Sequence, residues 1–193
     1  MLDNLKKYNV LLASKSPRRR ELLHLLRVPF GIVSAGGYDE SFPAGIPPLQ
    51  TAQYVSERKA QTCMDRLQDN DLVITADTMV ILGDRIMGKP HDAEEAMEML
   101  MAMSGKTHIV TTGVTIATKN KKKSFTSITE VTFAPISKED AEYYITTYSP
   151  FDKAGAYGIQ EWIGAVAVSG IKGSYYNVMG LPVHQLYNEL KAF

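Results

Sequence analysis

The chain has 193 residues, 45% of them hydrophobic, and carries 21 lysines and arginines against 21 aspartates and glutamates. That length and apolar fraction furnish one sizeable core, and the zero formal net charge argues against nucleic acid or a membrane surface as a partner. A single cysteine, Cys63, excludes an internal disulfide and a cysteine-rich metal site, and no run approaches the ~20 apolar residues of a membrane span, so a cytoplasmic protein is expected.

In chain order, Tyr8 to Ala13 reads as a strand. Ser16 then caps a helix that has Pro17 in its first turn and runs to about Leu26. "PFGIVSAGG" gives a short strand, "YDESFPAGIPP" a polar loop, and a helix starts at about Thr51. "DLVITADTMVILGDRIMGKP" reads as a buried strand, a polar interruption at Asp77 and Thr78, and a hairpin around Gly83 and Asp84. The next helix is marked at both ends, by Asp92 with Glu95 three residues on and by Gly105.

Two β-rich runs, "HIVTTGVTIAT" and "SFTSITEVTFAPI", flank "KNKKK", read as a solvated hairpin tip. A helix follows Ser137, "SPFDKAGAYGIQ" reads as loop, "AVAVSGI" as a strand and "GSYYNVMGLP" as a second loop before a helix from about Pro182. Alternating strands and helices of this kind place the chain in the α/β class.

Three arginines, Arg18, Arg19 and Arg20, stand where a helix begins, although the helix dipole repels a cation there by about 0.3–1 kcal/mol. A strand, tight turn and helix aim N–H groups at an anion, and Arg18 and Arg19 add forked donors suited to phosphate oxygens. The alternative is ordinary surface pairing with carboxylates, with Glu21 softening the repulsion. Asp77 follows an apolar strand, where a carboxylate binds a hard cation, accepts a proton from water, or serves an Asx turn or cap.

Polar islands "YDES", "RKA", "GKP" and "DKAGAYGIQ" carry Glu40, Lys59, Lys89 and Lys153. Gathered toward Asp77 they would mix carboxylates for a metal with cations for a polyphosphate, as phosphoryl chemistry requires. Taken singly, each lysine reads first as a solvated surface charge. Lys89, between Gly88 and Pro90, has the most restrained backbone. The scattered histidines lack zinc-site spacing, "MEMLMAM" reads as core or interface packing, and Cys63 inside a helix is a poor nucleophile.

Taken in order, "SKSPRR", "TADTMV", "GKP", "SGKTHIVTTGV", "DKAGAYGIQ" and "GSYYNVMGLP" resemble the motifs of the Maf family of nucleotide pyrophosphatases across nearly the whole chain. The resemblance implies a mixed α/β Maf/ITPase-like fold, with an elongated sheet and flanking helices forming two lobes around a central cleft. It implies one domain over residues 1–193, commonly as a homodimer. It also implies hydrolysis of nucleoside triphosphates to monophosphate and pyrophosphate with Mg²⁺ or Mn²⁺. "ADT" with "AYGIQ" is similar to the branch acting on dTTP and UTP rather than 7-methyl-GTP.

By motif match, Asp77 is the implied proton acceptor, and Arg18, Thr78 and Gln160 take the positions linked to substrate choice. Ser14, Arg19, Lys59 and Lys89 are implied near the substrate, and Glu40 with Asp77 at the metal, Asp39 being a substitute because "AGGYDES" carries an extra residue. Lys15 departs from the smaller residue of relatives. Gln160 has its own chemical reason, because its amide donor and acceptor match the N3–H and carbonyls of uracil and thymine. A different class of function is a nucleotide-responsive protein of septum formation that does not turn over. A nucleic-acid binder using "SPRRR" and "KNKKK" is opposed by the charge balance.

Overall fold

A computed structural model describes residues 2–37 and 41–193; Glu40 and Asp39, expected at a metal, lie outside the described residues. After a 3₁₀ turn at Asp3–Lys7, which the sequence reading did not foresee, the elements run β1 (Asn9–Leu12), α1 (Pro17–His24), β2 (Gly31–Ile32), α2 (Pro48–Met64), β3 (Asp71–Leu82) and β4 (Arg85–Met87). They continue with α3 (Ala93–Met103), β5 (Thr107–Ala117), β6 (Lys122–Phe133), α4 (Lys138–Tyr148), α5 (Trp162–Ala167), β7 (Val168–Lys172), α6 (Tyr175–Met179) and α7 (Val183–Ala192). The strands form one mixed seven-stranded sheet in the order β2-β1-β3-β5-β6-β7, with β4 paired to β3 off that path.

The chain divides into two compact units: Met1–Asp77, Thr112–Ser127 and Gly180–Phe193 in the first, Thr78–Thr111 and Ile128–Met179 in the second. In the first, β1 runs parallel to β2 and to the start of β3, with Asn9 opposite Asp71 and Leu12 opposite Ile74. Ala13, Ala60, Cys63, Leu67, Val73 and Ala117 form one of its buried clusters. In the second, β4 is antiparallel to the end of β3 and β7 to β6, over a separate core that includes Met87, Leu100, Met103, Phe133, Tyr144 and Ile163. Burial of these side chains stabilises each unit by about 1.5–3 kcal/mol per large residue.

Helix ends follow their caps. Ser16, Asp92 and Ser137 each accept a bond from the backbone three residues on, and Gly105 follows α3 with φ +68°, a conformation in which a Cβ is strained. Four readings are corrected. Helix α2 begins at Pro48 rather than Thr51, because proline fits the first helical turn. β3 runs unbroken through Asp77 and Thr78, so Asp77 stands in the interior of a 12-residue strand rather than at its end.

The run "AVAVSGI" is divided, with Ala165–Ala167 ending α5 and β7 starting at Val168. "GSYYNVMGLP", read as loop, holds the short α6, where the Ser174 hydroxyl accepts from Asn177 N–H at 3.2 Å. The tip "KNKKK" is paired as well as solvated: Lys119 with Asp69 at 2.7 Å, Lys122 with Glu57 at 3.9 Å and Lys123 with Glu189 at 3.6 Å. Such exposed pairs contribute about 0–1 kcal/mol each.

Candidate active site

The chemistry of the first unit centres on one ion pair. The Lys59 ammonium donates to Asp77 Oδ1 at 2.5 Å and reaches the Ala76 carbonyl at 3.5 Å. Lys59 is 5% exposed, so its ammonium is held by protein rather than water. It lies on the inward face of α2 with Ala52, Val55, Ser56, Ala60 and Cys63, which recur at helical spacing. The Asp77 side chain keeps 14% exposure, enough to meet a solute.

Hydroxyls fix the two elements that carry this pair. Ser56, one turn before Lys59, bonds Thr115 Oγ1 at 3.0 Å and Thr75 Oγ1 at 3.2 Å, and the Thr75 hydroxyl donates to the Ser56 carbonyl at 2.7 Å. Glycine at 113 lets α2 lie directly on β5, since a Cβ there would meet the Gln53 backbone at 2.2 Å. Satisfied buried polar groups of this kind pin helix to strand. The sequence reading missed Ser56, Thr75 and Thr115; the two threonines carry a signal, as hydroxyls within apolar runs, whereas Ser56 stands among charged residues and carries none.

At the start of α1 the Ser14 hydroxyl accepts from Ser16 N–H at 3.2 Å, which leaves its own proton to donate. Arg19 N–H donates to Ser16 Oγ, Arg20 N–H donates to the Ser16 carbonyl, and Pro17 has no N–H. These contacts engage the Arg19 and Arg20 amides at the helix terminus. The Arg19 guanidinium is oriented by its Nε–H donating to the Gly180 carbonyl at 2.9 Å, and Arg18 is half-buried beside it in sequence.

The second unit carries Thr78, Lys89 and Gln160, of which Lys89 and Gln160 are exposed and Thr78 half-buried. Gly155 N–H donates to the Gly88 carbonyl at 2.9 Å, tying the loop that presents Lys89 to the segment that leads to Gln160. Lys153 is buried, not a surface charge, with its ammonium 3.1 Å from Glu161 Oε1 and 2.8 Å from Asp152 Oδ1. Tyr144 donates to Glu161 Oε2. Tyr144 and Glu161 went unnoticed in the sequence, where neither stands in a motif.

Asp77 offers hard oxygens, one engaged by Lys59. Among the described residues no three His, Cys, Asp or Glu side chains gather as a cage. Mg²⁺ in phosphoryl-transfer sites takes one or two carboxylates and completes its shell with phosphate oxygens and water, and Asp77 fits that use.

A family model described as "Maf-like protein" matches residues 9–193. The chain is 49% identical over 191 residues to a dTTP/UTP pyrophosphatase of Phocaeicola vulgatus, covering 99% of each chain. It is 50% identical over 195 residues to one of Porphyromonas gingivalis, covering all of this chain and 98% of the relative, and 49% identical to one of Parabacteroides distasonis over the full length of both. In fold it is similar to a HAM1 protein from Coxiella burnetii, with a TM-score of 0.52 and 13% identity over 96% of this chain and all of that one. With the family model matched from β1 to the last residue, and relatives near half identity along the whole length, the chain belongs to the Maf family.

Proposed function

We propose that the protein hydrolyses dTTP and UTP to the nucleoside monophosphate and pyrophosphate. One observation supports this reading: Asp77, matched by motif to the family's proton acceptor, is paired at 2.5 Å with the buried Lys59 between α2 and β3. Full-length relatives named dTTP/UTP pyrophosphatase support the substrate class.

Asp77 orients a water and takes its proton on Oδ2 while Lys59 fixes Oδ1, and the water oxygen bonds to the α-phosphorus as the bond to pyrophosphate breaks. Ser14, Arg18, Arg19 and Lys89 bind phosphate oxygens, and the three cations meet charge building on the leaving pyrophosphate. Arg19 enters preoriented by Gly180. Thr78 and Gln160 select the base, the glutamine amide matching uracil and thymine. A divalent cation, Mg²⁺ or Mn²⁺, would be held by Asp77 and Glu40 and would supply Lewis-acid neutralisation of phosphate charge.

A homodimer, as the family resemblance implies, in the cytoplasm completes the reading. The test is a panel of UTP, dTTP, CTP and purine triphosphates with purified protein and Mg²⁺, scored for both products. Equimolar monophosphate and pyrophosphate from UTP and dTTP is expected. Orthophosphate as the direct product, or no turnover with saturating metal, would overturn the reading.

A further inference from the structure

Gly158 and its surroundings have no place in the chemistry above. No left-handed backbone requires glycine there; the reason is space. A Cβ at 158 would lie 2.8 Å from Glu161 Cδ, 2.9 Å from Glu161 Oε2 and 3.0 Å from Gln160 Nε2, so the side chains of Gln160 and Glu161 together fill the volume that any other residue would claim.

The walls of that volume are fixed. Glu161 N–H donates to the Gly158 carbonyl at 3.0 Å and closes a four-residue turn with Gln160 at its third position. Gly158 N–H donates to the Tyr144 hydroxyl at 3.0 Å, and that hydroxyl donates in turn to Glu161 Oε2. Tyr144 is fully buried on α4, and burial together with the Glu161 carboxylate pushes its pKa up, so it remains a donor at neutral pH. Lys153 holds the other Glu161 oxygen at 3.1 Å. Both carboxylate oxygens are thus engaged, which fixes the Glu161 carboxylate beside Gly158.

We propose that Gly158 is a specificity-positioning residue: the space of its missing side chain, walled by Tyr144 and Glu161, sets which way the Gln160 amide faces the nucleobase. This rests on the reading of Gln160 as the group that meets the base. The Glu161 charge favours the amide NH₂ on the Gly158 side, which turns Oε1 outward as an acceptor. An outward acceptor pairs with the N3–H of uracil or thymine and opposes the N3 lone pair of cytosine.

The experiment measures kcat/KM for UTP and CTP, with Mg²⁺ saturating, in wild type, Gly158→Ala, Tyr144→Phe, Gln160→Ala and the Gly158→Ala/Gln160→Ala double variant, each with its Tm. Because the Gln160 amide ends an exposed side chain free to turn aside, Gly158→Ala should fold and displace it. The UTP-to-CTP ratio should fall by about fivefold or more in Gly158→Ala and in Gln160→Ala, and the double variant should fall no further than Gln160→Ala. Tyr144→Phe, which adds no atoms, should shift the ratio the same way and keeps the test open should Gly158→Ala not fold. A ratio that drops in Gln160→Ala but holds in folded Gly158→Ala or Tyr144→Phe overturns the proposal. If Gln160→Ala itself leaves the ratio unchanged, the base-reading role of Gln160 fails and takes this proposal with it, while turnover of UTP still judges the pyrophosphatase reading separately.

Discussion

The ion pair of the first unit and the turn around Gln160 in the second are held in opposite ways. Lys59 and Asp77 stand on regular elements, a 17-residue helix and a 12-residue strand, with the lysine buried and their contact direct. Gln160 is exposed on an irregular segment and its position is set indirectly, by a glycine, a buried tyrosine and the pair of buried Lys153 with half-buried Glu161. Bond making tolerates little displacement, so its groups are best placed on rigid elements, whereas choice of base depends on surface groups whose supports can differ without disturbing the chemistry.

The contrast is broken most severely at Asp77. Asp77→Asn keeps the shape and removes the proton acceptor, so kcat should fall about 10³-fold for every nucleotide alike, leaving the UTP-to-CTP ratio unchanged. Steady-state kinetics on a variant shown folded by circular dichroism checks this, and a drop confined to one nucleotide would move Asp77 from chemistry to recognition.

The second unit also hides a titratable group in its core. His108 is 1% exposed, shares a 2.7 Å hydrogen bond between Nε2 and the Tyr157 hydroxyl, and burial lowers its pKa from the ordinary 6.5 to about 4. Between those values the unfolded chain takes a proton that the native ring refuses. The stability His108 contributes is therefore complete above pH 6.5 and lost as pH falls toward 4, roughly 3 kcal/mol in all. Urea unfolding of wild type and His108→Gln at pH 7 and 4.5 should show a smaller acid loss in the variant; equal losses would contradict it.

The smallest effect belongs to the exposed loop. Lys89→Ala should cost about 2 kcal/mol in kcat/KM, about 30-fold, with Tm unchanged, because its side chain is exposed. A lowered Tm with full activity per folded molecule would make Lys89 structural.

Much of this was legible in the sequence where local chemistry decides: the Ser16, Asp92 and Ser137 caps, the β1 strand and the motif order. Asp77 reads as a strand end because two polar residues break an apolar run, yet Lys59 compensates the half-buried carboxylate and β-branched residues carry β3 onward. That compensation comes from a helix 18 residues away in sequence, which no local pattern displays. Lys59 was legible only through its motif match, and taken singly it reads as a surface charge, because its inward position on α2 shows only in the fold. "AVAVSGI" misled because alternating alanine and valine suits a strand, while α5 forms by close packing: a Cβ on Gly164 would lie 1.8 Å from the Ile159 carbonyl oxygen. Tyr144 and Glu161 gave no signal, since their pairing exists only once α4 and the turn at 158–161 have met.

The most direct measurement is hydrolysis of UTP in ¹⁸O-labelled water. Attack on the α-phosphorus by the water that Asp77 activates predicts one labelled oxygen in the uridine monophosphate and none in the pyrophosphate, at a rate that collapses in Asp77→Asn. Label in pyrophosphate or orthophosphate, or the same rate in both proteins, would contradict it.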